Sequence, residues 1–183
     1  MFARYKKNGF TLIEFSVVAL IMGILVSATL VGYRNGQKRY ILSGATQEFI
    51  AEIRNVQNMA MQGTEIKDVC EEDILALRCY GYGIYIDIGE DDTSYLIFAE
   101  RNSDNDNEYI EGDSDDILIG AVSLPTNVKL EYSLGKVSIY FKSPWPTGYI
   151  DGEQNTTNAV ITLKYEGTSL TKTVSVSSAG LIE

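Results

Sequence analysis

The hydrophobic and polar positions of this chain separate an apolar N-terminal stretch from a long remainder in which apolar and polar residues mix. From Phe15 to Tyr33 there are 19 consecutive residues without a charged side chain. As an α-helix they would extend about 28 Å, close to the roughly 30 Å hydrocarbon thickness of a bilayer. The pattern predicts a membrane-spanning helix over residues 10–33.

Glu14 interrupts this apolar stretch near its start. A carboxylate inside a bilayer costs a few kcal/mol unless a partner compensates its charge. A cleaved secretory signal is an alternative, because a basic stretch precedes the apolar run and Val26-Ser27-Ala28 provides small residues for a signal peptidase. Glu14 argues against that alternative, as does the helical pattern that continues beyond Ala28. A spanning helix would therefore need a partner for Glu14.

Residues 34–62 show the spacing of an amphipathic helix that ends at Gly63-Thr64. Apolar or small residues recur at intervals of three and four. They are Ile41, Ala45, Phe49, Ile53, Val56 and Ala60. One continuous helix over residues 10–62 would be about 80 Å long.

After residue 63 the pattern changes to alternation with period two, which is typical of β-strands. Leu134-Gly135 predicts a tight hairpin between two of the strands, and Tyr82 to Ile88 predicts a strand with one buried face. We predict an α+β fold in which a long helix packs on a mostly antiparallel β head, residues 63–183, of about seven strands. The expected strands are 82–88, 94–100, 117–122, 128–132, 137–141, 159–165 and 170–177.

Composition excludes several classes of function. The chain has 25 acidic and 15 basic residues and no histidine. Without the bases before Gly9 (Arg4, Lys6 and Lys7) the balance is 12 bases against 25 acids, or −13, a charge that repels nucleic acid. The absence of histidine removes the usual Ser-His-Asp and Cys-His catalytic systems. We predict that the protein is not an enzyme and requires no cofactor.

Cys70 and Cys79 are the two cysteines of the chain. Eight residues separate them, and the four ligands of a typical zinc site are missing. In an exported domain we expect a local disulfide between them, whereas in the cytosol both thiols would stay free.

An acidic loop over residues 102–116 is a candidate calcium site. Asp104, Asp106, Glu108 and Glu111 are spaced so that a turning loop could direct several oxygens at one Ca²⁺. Tyr109 stands where an EF-hand needs glycine, and no helix pair flanks the loop. A solvated acidic loop without a metal is the alternative.

The segment Lys6-Lys7-Asn8-Gly9-Phe10-Thr11-Leu12-Ile13-Glu14 resembles the processing site of type IV prepilins and type II secretion pseudopilins. The resemblance implies a leader, residues 1–9, that prepilin peptidase removes after Gly9, and N-methylation of Phe10. It also implies that Glu14 pairs with the N-terminal amine of a neighbouring subunit. Such a pair would supply the partner that the membrane requires.

A long helix followed by strands alone, with a tail from Thr173 to Ile182, is similar to the GspH/FimT group of minor pilins and pseudopilins. Some members of that group bind DNA through a glycine-arginine motif near the C-terminus. Here Leu181 follows Gly180, and this departure together with the −13 charge argues against nucleic acid as a partner.

The resemblance implies a structural subunit of a type IV pilus or a type II secretion pseudopilus. Its expected partners are other pilin subunits, prepilin peptidase, an inner-membrane assembly platform and, before assembly, membrane lipid. The expected location is the bacterial inner membrane, crossed once with the head outside the cytoplasm, and then the pseudopilus or the cell surface. An alternative keeps the same anchor but makes the head a tip-located adhesin or a calcium-dependent binding module.

Overall fold

The computed structural model describes residues 11–63, 79–101, 107–113, 116–143, 147–154 and 158–183. Within these residues a single long helix precedes eight β-strands. The helix α1 is Leu12–Gln62, and the strands are β1 Gly81–Asp87, β2 Ser94–Glu100, β3 Asp116–Ser123, β4 Val128–Glu131, β5 Lys136–Lys142, β6 Gly148–Ile150, β7 Ala159–Tyr165 and β8 Thr171–Val176.

The helix α1 confirms the predicted continuous helix and its end. Gly63 has a φ of +57°, and its N–H donates to the Ala60 carbonyl at 3.2 Å. A left-handed glycine directly after the last helical residue is a common C-terminal cap, because glycine adopts this conformation without a steric penalty. The chain divides into two compact units between Arg39 and Tyr40.

The strands of the second unit form two antiparallel sheets in the described part of the chain. Sheet A has five strands in the order β3-β2-β1-β5-β6, and sheet B has three in the order β4-β7-β8. The α+β class and the antiparallel head are therefore confirmed. Strand β6 was not predicted from the sequence, since three residues are too few to show an alternating pattern.

The predicted hairpin at Leu134-Gly135 is wrong. A tight turn does form there, with Gly135 at φ +86° and its N–H donating to the Tyr132 carbonyl at 3.2 Å. However, β4 pairs with β7, whereas β5 pairs with β1 and β6. The turn therefore passes the chain from one sheet to the other, which alternation along each strand does not reveal.

The main core lies between the second half of α1 and both sheets. Phe49, Ile53, Val56 and Ala60 are completely buried, as their spacing predicts. The N-terminal end of the stripe differs by one position, because Leu42 is buried while Ile41 is only half-buried. The side chains of the two sheets that face this helix belong to the same cluster. They include Tyr82, Ile84, Ile139, Phe141, Leu130, Ile161 and Val174.

Strand β1 is covered on both faces, so the prediction of one buried face is wrong. Gly83 pairs with Phe98 on one neighbouring strand and with Tyr140 on the other. A Cβ at Gly83 would collide with the Phe98 ring and lie 2.8 Å from the Ile139 carbonyl oxygen. The missing side chain thus leaves room for aromatic rings on the face opposite α1, which we call the outer face of sheet A.

Candidate assembly segment and head cleft

The first turn of α1 is closed by a reciprocal capping box. The Glu14 Oε2 accepts hydrogen bonds from the Thr11 N–H at 2.9 Å and from the Thr11 hydroxyl at 2.7 Å. In return, the Glu14 N–H donates to the Thr11 Oγ1 at 3.3 Å. A Thr-x-x-Glu spacing favours this arrangement, since it satisfies backbone donors that the helix leaves without partners. Glu14 therefore has a local structural role in the single chain.

The apolar surface of α1 before residue 27 is unburied within the chain. Exposure of its large apolar side chains ranges from 48% at Val18 to 87% at Leu12. The exposed set is Leu12, Ile13, Phe15, Val17, Val18, Leu20, Ile21, Met22, Ile24, Leu25 and Val26. Soluble monomers rarely expose so large a contiguous apolar surface, so lipid or other chains must cover it.

By length and composition, α1 contains a stretch that could cross a membrane. A buried core helix of a soluble protein would satisfy the same criterion, but no part of this stretch is buried inside the chain. The apolar N-terminal helix therefore fits a membrane-anchored protein.

Several predicted site residues lie outside the described residues. These are Gly9 and Phe10 at the processing site, Cys70 of the expected disulfide, and Asp104 and Asp106 of the expected calcium site. Cys79 is described and is half-buried, two residues before β1. The disulfide and the processing site stay predictions.

Of the four expected calcium ligands, only Glu108 and Glu111 are described. Both lie in the segment 107–113, Glu108 directly before Tyr109 and Glu111 two residues after it, and both line the cleft described below. Among the described residues no group of three or more acidic, cysteine or histidine side chains could hold a metal ion. The calcium site likewise stays a prediction.

The outer face of sheet A carries a cleft of about 550 Å³ that the sequence analysis missed. One side is formed by Tyr85 of β1 and Tyr109, whose ring centroids lie 4.7 Å apart. Alternation places Tyr85 and Asp87 on the same face as Gly83, opposite the core side chains of β1. The alternating polar positions of β1 were therefore a signal for this face, but nothing in the sequence placed residues 107–113 over it.

Acidic groups influence both tyrosines of the cleft. Burial, followed by the charge and hydrogen bond of Asp87, raises the pKa of Tyr85 to about 12, and Glu111 and Glu90 contribute. Burial also raises the pKa of Tyr109, with further contributions from Glu111 and other nearby acids. Both phenols stay neutral at physiological pH in a negative electrostatic environment.

Residues 4–30 match the family model described as the prokaryotic N-terminal methylation motif. The match confirms the resemblance to type IV pilins and pseudopilins at the N-terminal segment and supports that family for the chain. The family is structural rather than enzymatic, which agrees with the prediction that the protein is not an enzyme. No curated protein and no solved structure gives a significant match.

Proposed function

We propose that the protein is a minor pilin or pseudopilin that is cleaved after Gly9 and assembled into a filament through α1. The observation that carries this proposal is the methylation motif at residues 4–30 on an apolar helix whose surface is unburied. The motif implies processing and assembly with other pilin subunits. The exposed helix provides the surface through which such subunits would associate.

The physical argument concerns what covers the apolar side chains. Complete removal of one large apolar side chain from water is favourable by about 1.5–3 kcal/mol of free energy. Lipid covers them before assembly, and neighbouring helices replace the lipid in a filament. Glu14 favours the second state, because the freed ammonium of Phe10 on a neighbouring subunit would neutralise its charge.

The finer assignment is to the GspH/FimT group, supported by the order of one helix followed by strands alone in the residues that the structure describes. The proposed location is the inner membrane with the head outside the cytoplasm, followed by the pseudopilus or the cell surface. Prepilin peptidase and the inner-membrane assembly platform are the partners that this route requires.

Mass spectrometry of filaments sheared from producing cells tests the proposal. We expect the protein in the filament fraction with N-methylated Phe10 as its first residue and at low copy number relative to a major subunit. The same digest without reductant should contain Cys70 and Cys79 in one linked pair of peptides, as expected for an exported head.

The control is a strain without the prepilin peptidase. It should retain the full-length protein, with residues 1–9, in the membrane fraction. An N-terminus after Ala28 would instead identify a cleaved secretory signal, and two separately alkylated cysteines would contradict the disulfide.

A calcium-dependent binding head on the same anchor is the second candidate. It is favoured by Glu108 and Glu111, neither of which accepts a hydrogen bond or pairs with a base within the described residues. With Asp104 and Asp106 these carboxylates would provide four oxygen-bearing side chains for Ca²⁺.

If this site exists, millimolar Ca²⁺ should raise the melting temperature of the detergent-solubilised chain by several degrees and slow proteolysis of the loop, because a ligand stabilises the state that binds it. Mg²⁺ at the same concentration should have a smaller effect, and Asp104→Asn with Asp106→Asn should remove the difference. Equal melting temperatures with and without Ca²⁺ would contradict the site.

A further inference from the structure

The cleft on the outer face of sheet A has the features of a binding site rather than of a packing defect. It has a volume of about 550 Å³, within the range of small-ligand pockets. Tyr85 and Tyr109 form an aromatic pair with ring planes inclined at 41°. Both rings are only partly buried, so part of their surface remains available to a ligand.

Hydrogen bonds hold the cleft in one shape. The Tyr109 N–H donates to the Ser138 Oγ at 3.0 Å, which fixes the segment 107–113 against β5. The Asp151 Oδ1 accepts from the Ser138 N–H at 2.8 Å, and the Tyr85 hydroxyl donates to the Asp87 Oδ2 at 3.2 Å. A site fixed in this way loses little conformational entropy when a ligand binds.

The charge of the cleft selects the class of ligand. Among the described residues, four acids line it, Asp87, Glu108, Glu111 and Asp151, against one base, Lys136. Asp87 and Asp151 already accept the hydrogen bonds described above. Glu108 and Glu111 have no such partner in the part of the chain that the structure describes, so both carboxylates are available to a cation.

Aromatic faces and free carboxylates together fit an organic cation. An ammonium or guanidinium group within about 6 Å of a tyrosine ring is attracted by the ring quadrupole, and a nearby carboxylate adds a charge-assisted hydrogen bond. A metal ion would need several oxygens converging at one point, which the described residues do not provide.

We propose that this cleft binds an alkylammonium or guanidinium group, with its charge between the Tyr85–Tyr109 pair and Glu111. Such a group occurs both in free small cations and in lysine or arginine side chains of another protein. The inference goes beyond the proposed filament function and does not depend on it, because a cleft in the head could bind a cation whether or not α1 assembles.

Binding can be measured on the full chain in detergent by tyrosine fluorescence and by calorimetry. The probes are Nα-acetyl-arginine amide and Nα-acetyl-lysine amide, whose side chains stay charged. The neutral isostere of arginine is Nα-acetyl-citrulline amide. We expect saturable binding of the two cations in the millimolar range and at least about tenfold weaker binding of citrulline, which corresponds to about 1.4 kcal/mol. Added salt should weaken the binding of the two cations, because salt screens charges at a partly exposed site.

Two further probes distinguish the sources of the cation. Spermidine represents a free small cation, and a Gly-Arg-Gly peptide with blocked ends represents a protein side chain. Tighter binding of the peptide than of acetyl-arginine amide assigns the cleft to a protein partner. Tighter binding of spermidine assigns it to a free cation, and either result supports the proposed chemistry.

Glu111→Gln should weaken the binding of Nα-acetyl-arginine amide about fivefold. The substitution removes a carboxylate from an exposed position without loss of buried contacts. Tyr109→Leu should weaken the binding similarly, and near-ultraviolet circular dichroism checks that this variant folds. Glu166→Gln and Tyr80→Leu, exposed residues outside the cleft, are the matched controls and should bind as the unmodified chain does. Equal affinity for citrulline and arginine, or unchanged affinity in Glu111→Gln, would overturn the proposal.

Discussion

Replacing Glu14 with alanine is expected to abolish incorporation into filaments while membrane insertion remains intact. The proposed partner, the N-terminal ammonium of a neighbouring subunit, would then be buried without a counter-charge. Breaking a buried ion pair by removing one member costs roughly 3–5 kcal/mol, which corresponds to a hundredfold or greater loss. Quantitative immunodetection of the protein in sheared filament and membrane fractions measures both outcomes.

The capping box suggests a sharper pair of variants. Glu14→Gln can still accept hydrogen bonds from Thr11, as the Thr-x-x-Gln form of the capping box does, but it has no charge. Thr11→Ala has the opposite effect, since it removes the capping hydroxyl and keeps the carboxylate. If charge pairing drives assembly, the chain with Glu14→Gln should not enter filaments, whereas the chain with Thr11→Ala should.

The reverse result would give Glu14 a local role in helix capping. A chain with Glu14→Gln that assembles normally, together with a failing Thr11→Ala, would reject the intersubunit pair. Detection of both variants in the membrane fraction is the control, since a cap contributes only about 1 kcal/mol and its loss should not prevent insertion.

The second large effect is expected in the core of the head, where Phe49→Ala should cost about 3–5 kcal/mol of unfolding free energy. Phe49 is completely buried on α1 and meets Tyr95 of β2 edge to face, with ring centroids 5.1 Å apart. Alanine would leave a cavity between helix and sheet, because neighbouring groups relax only partly. The melting temperature should fall by roughly 10 °C or more.

Near-ultraviolet circular dichroism during thermal and urea unfolding measures this change through the tyrosines of the head. Tyr40→Ala is the matched control, because Tyr40 is an aromatic residue of the same helix but 80% exposed. Phe49→Leu should be intermediate. A melting temperature for Phe49→Ala within a degree of the control would show that the helix does not stabilise the sheets.

The sequence predicted those parts of the fold that depend on local periodicity. Phe49, Ile53 and Val56 recur at helical spacing over several turns, and a helix with a buried face is the structure that satisfies such a pattern. Gly63 predicted the helix end for a similarly local reason. Alternation of apolar and polar residues located seven of the eight strands in the described residues, because this pattern is typical of a strand even where the fold buries both faces, as in β1.

Relations between distant segments could not be predicted in the same way. The turn at Gly135 has the residues of a hairpin, yet the strands on its two sides belong to different sheets. Which strands pair depends on the packing of the whole core and not on the turn alone. The second buried face of β1 depends on Phe98 and Tyr140 from neighbouring strands. The cleft was missed for the same reason, since Tyr85 and Tyr109 meet only after residues 107–113 fold over sheet A.

Each sheet combines strand pairs that are close along the chain with pairs that are distant. β1 and β2 are adjacent in the chain and can pair as soon as both have been synthesised. In the described part of the chain β4 pairs with β7 alone, at a sequence separation of 31 residues for Glu131 and Thr162, and β7 in turn pairs with β8. In sheet A, β1 pairs with β5 at a still larger separation, 61 residues for Gly81 and Lys142. Contacts of such separation form slowly, because a long loop must close first.

Residues 182 and 183 pair with the outer edge of β8. The Glu183 N–H donates to the Ser175 carbonyl at 3.0 Å, and the Ser175 N–H donates back to the Glu183 carbonyl at 2.8 Å. Glu183 therefore pairs with β8 at the edge of sheet B. Removal of residues 181–183 would break these hydrogen bonds and take away the buried side chain of Ile182, so that the edge of β8 and part of the core of the head would be uncovered.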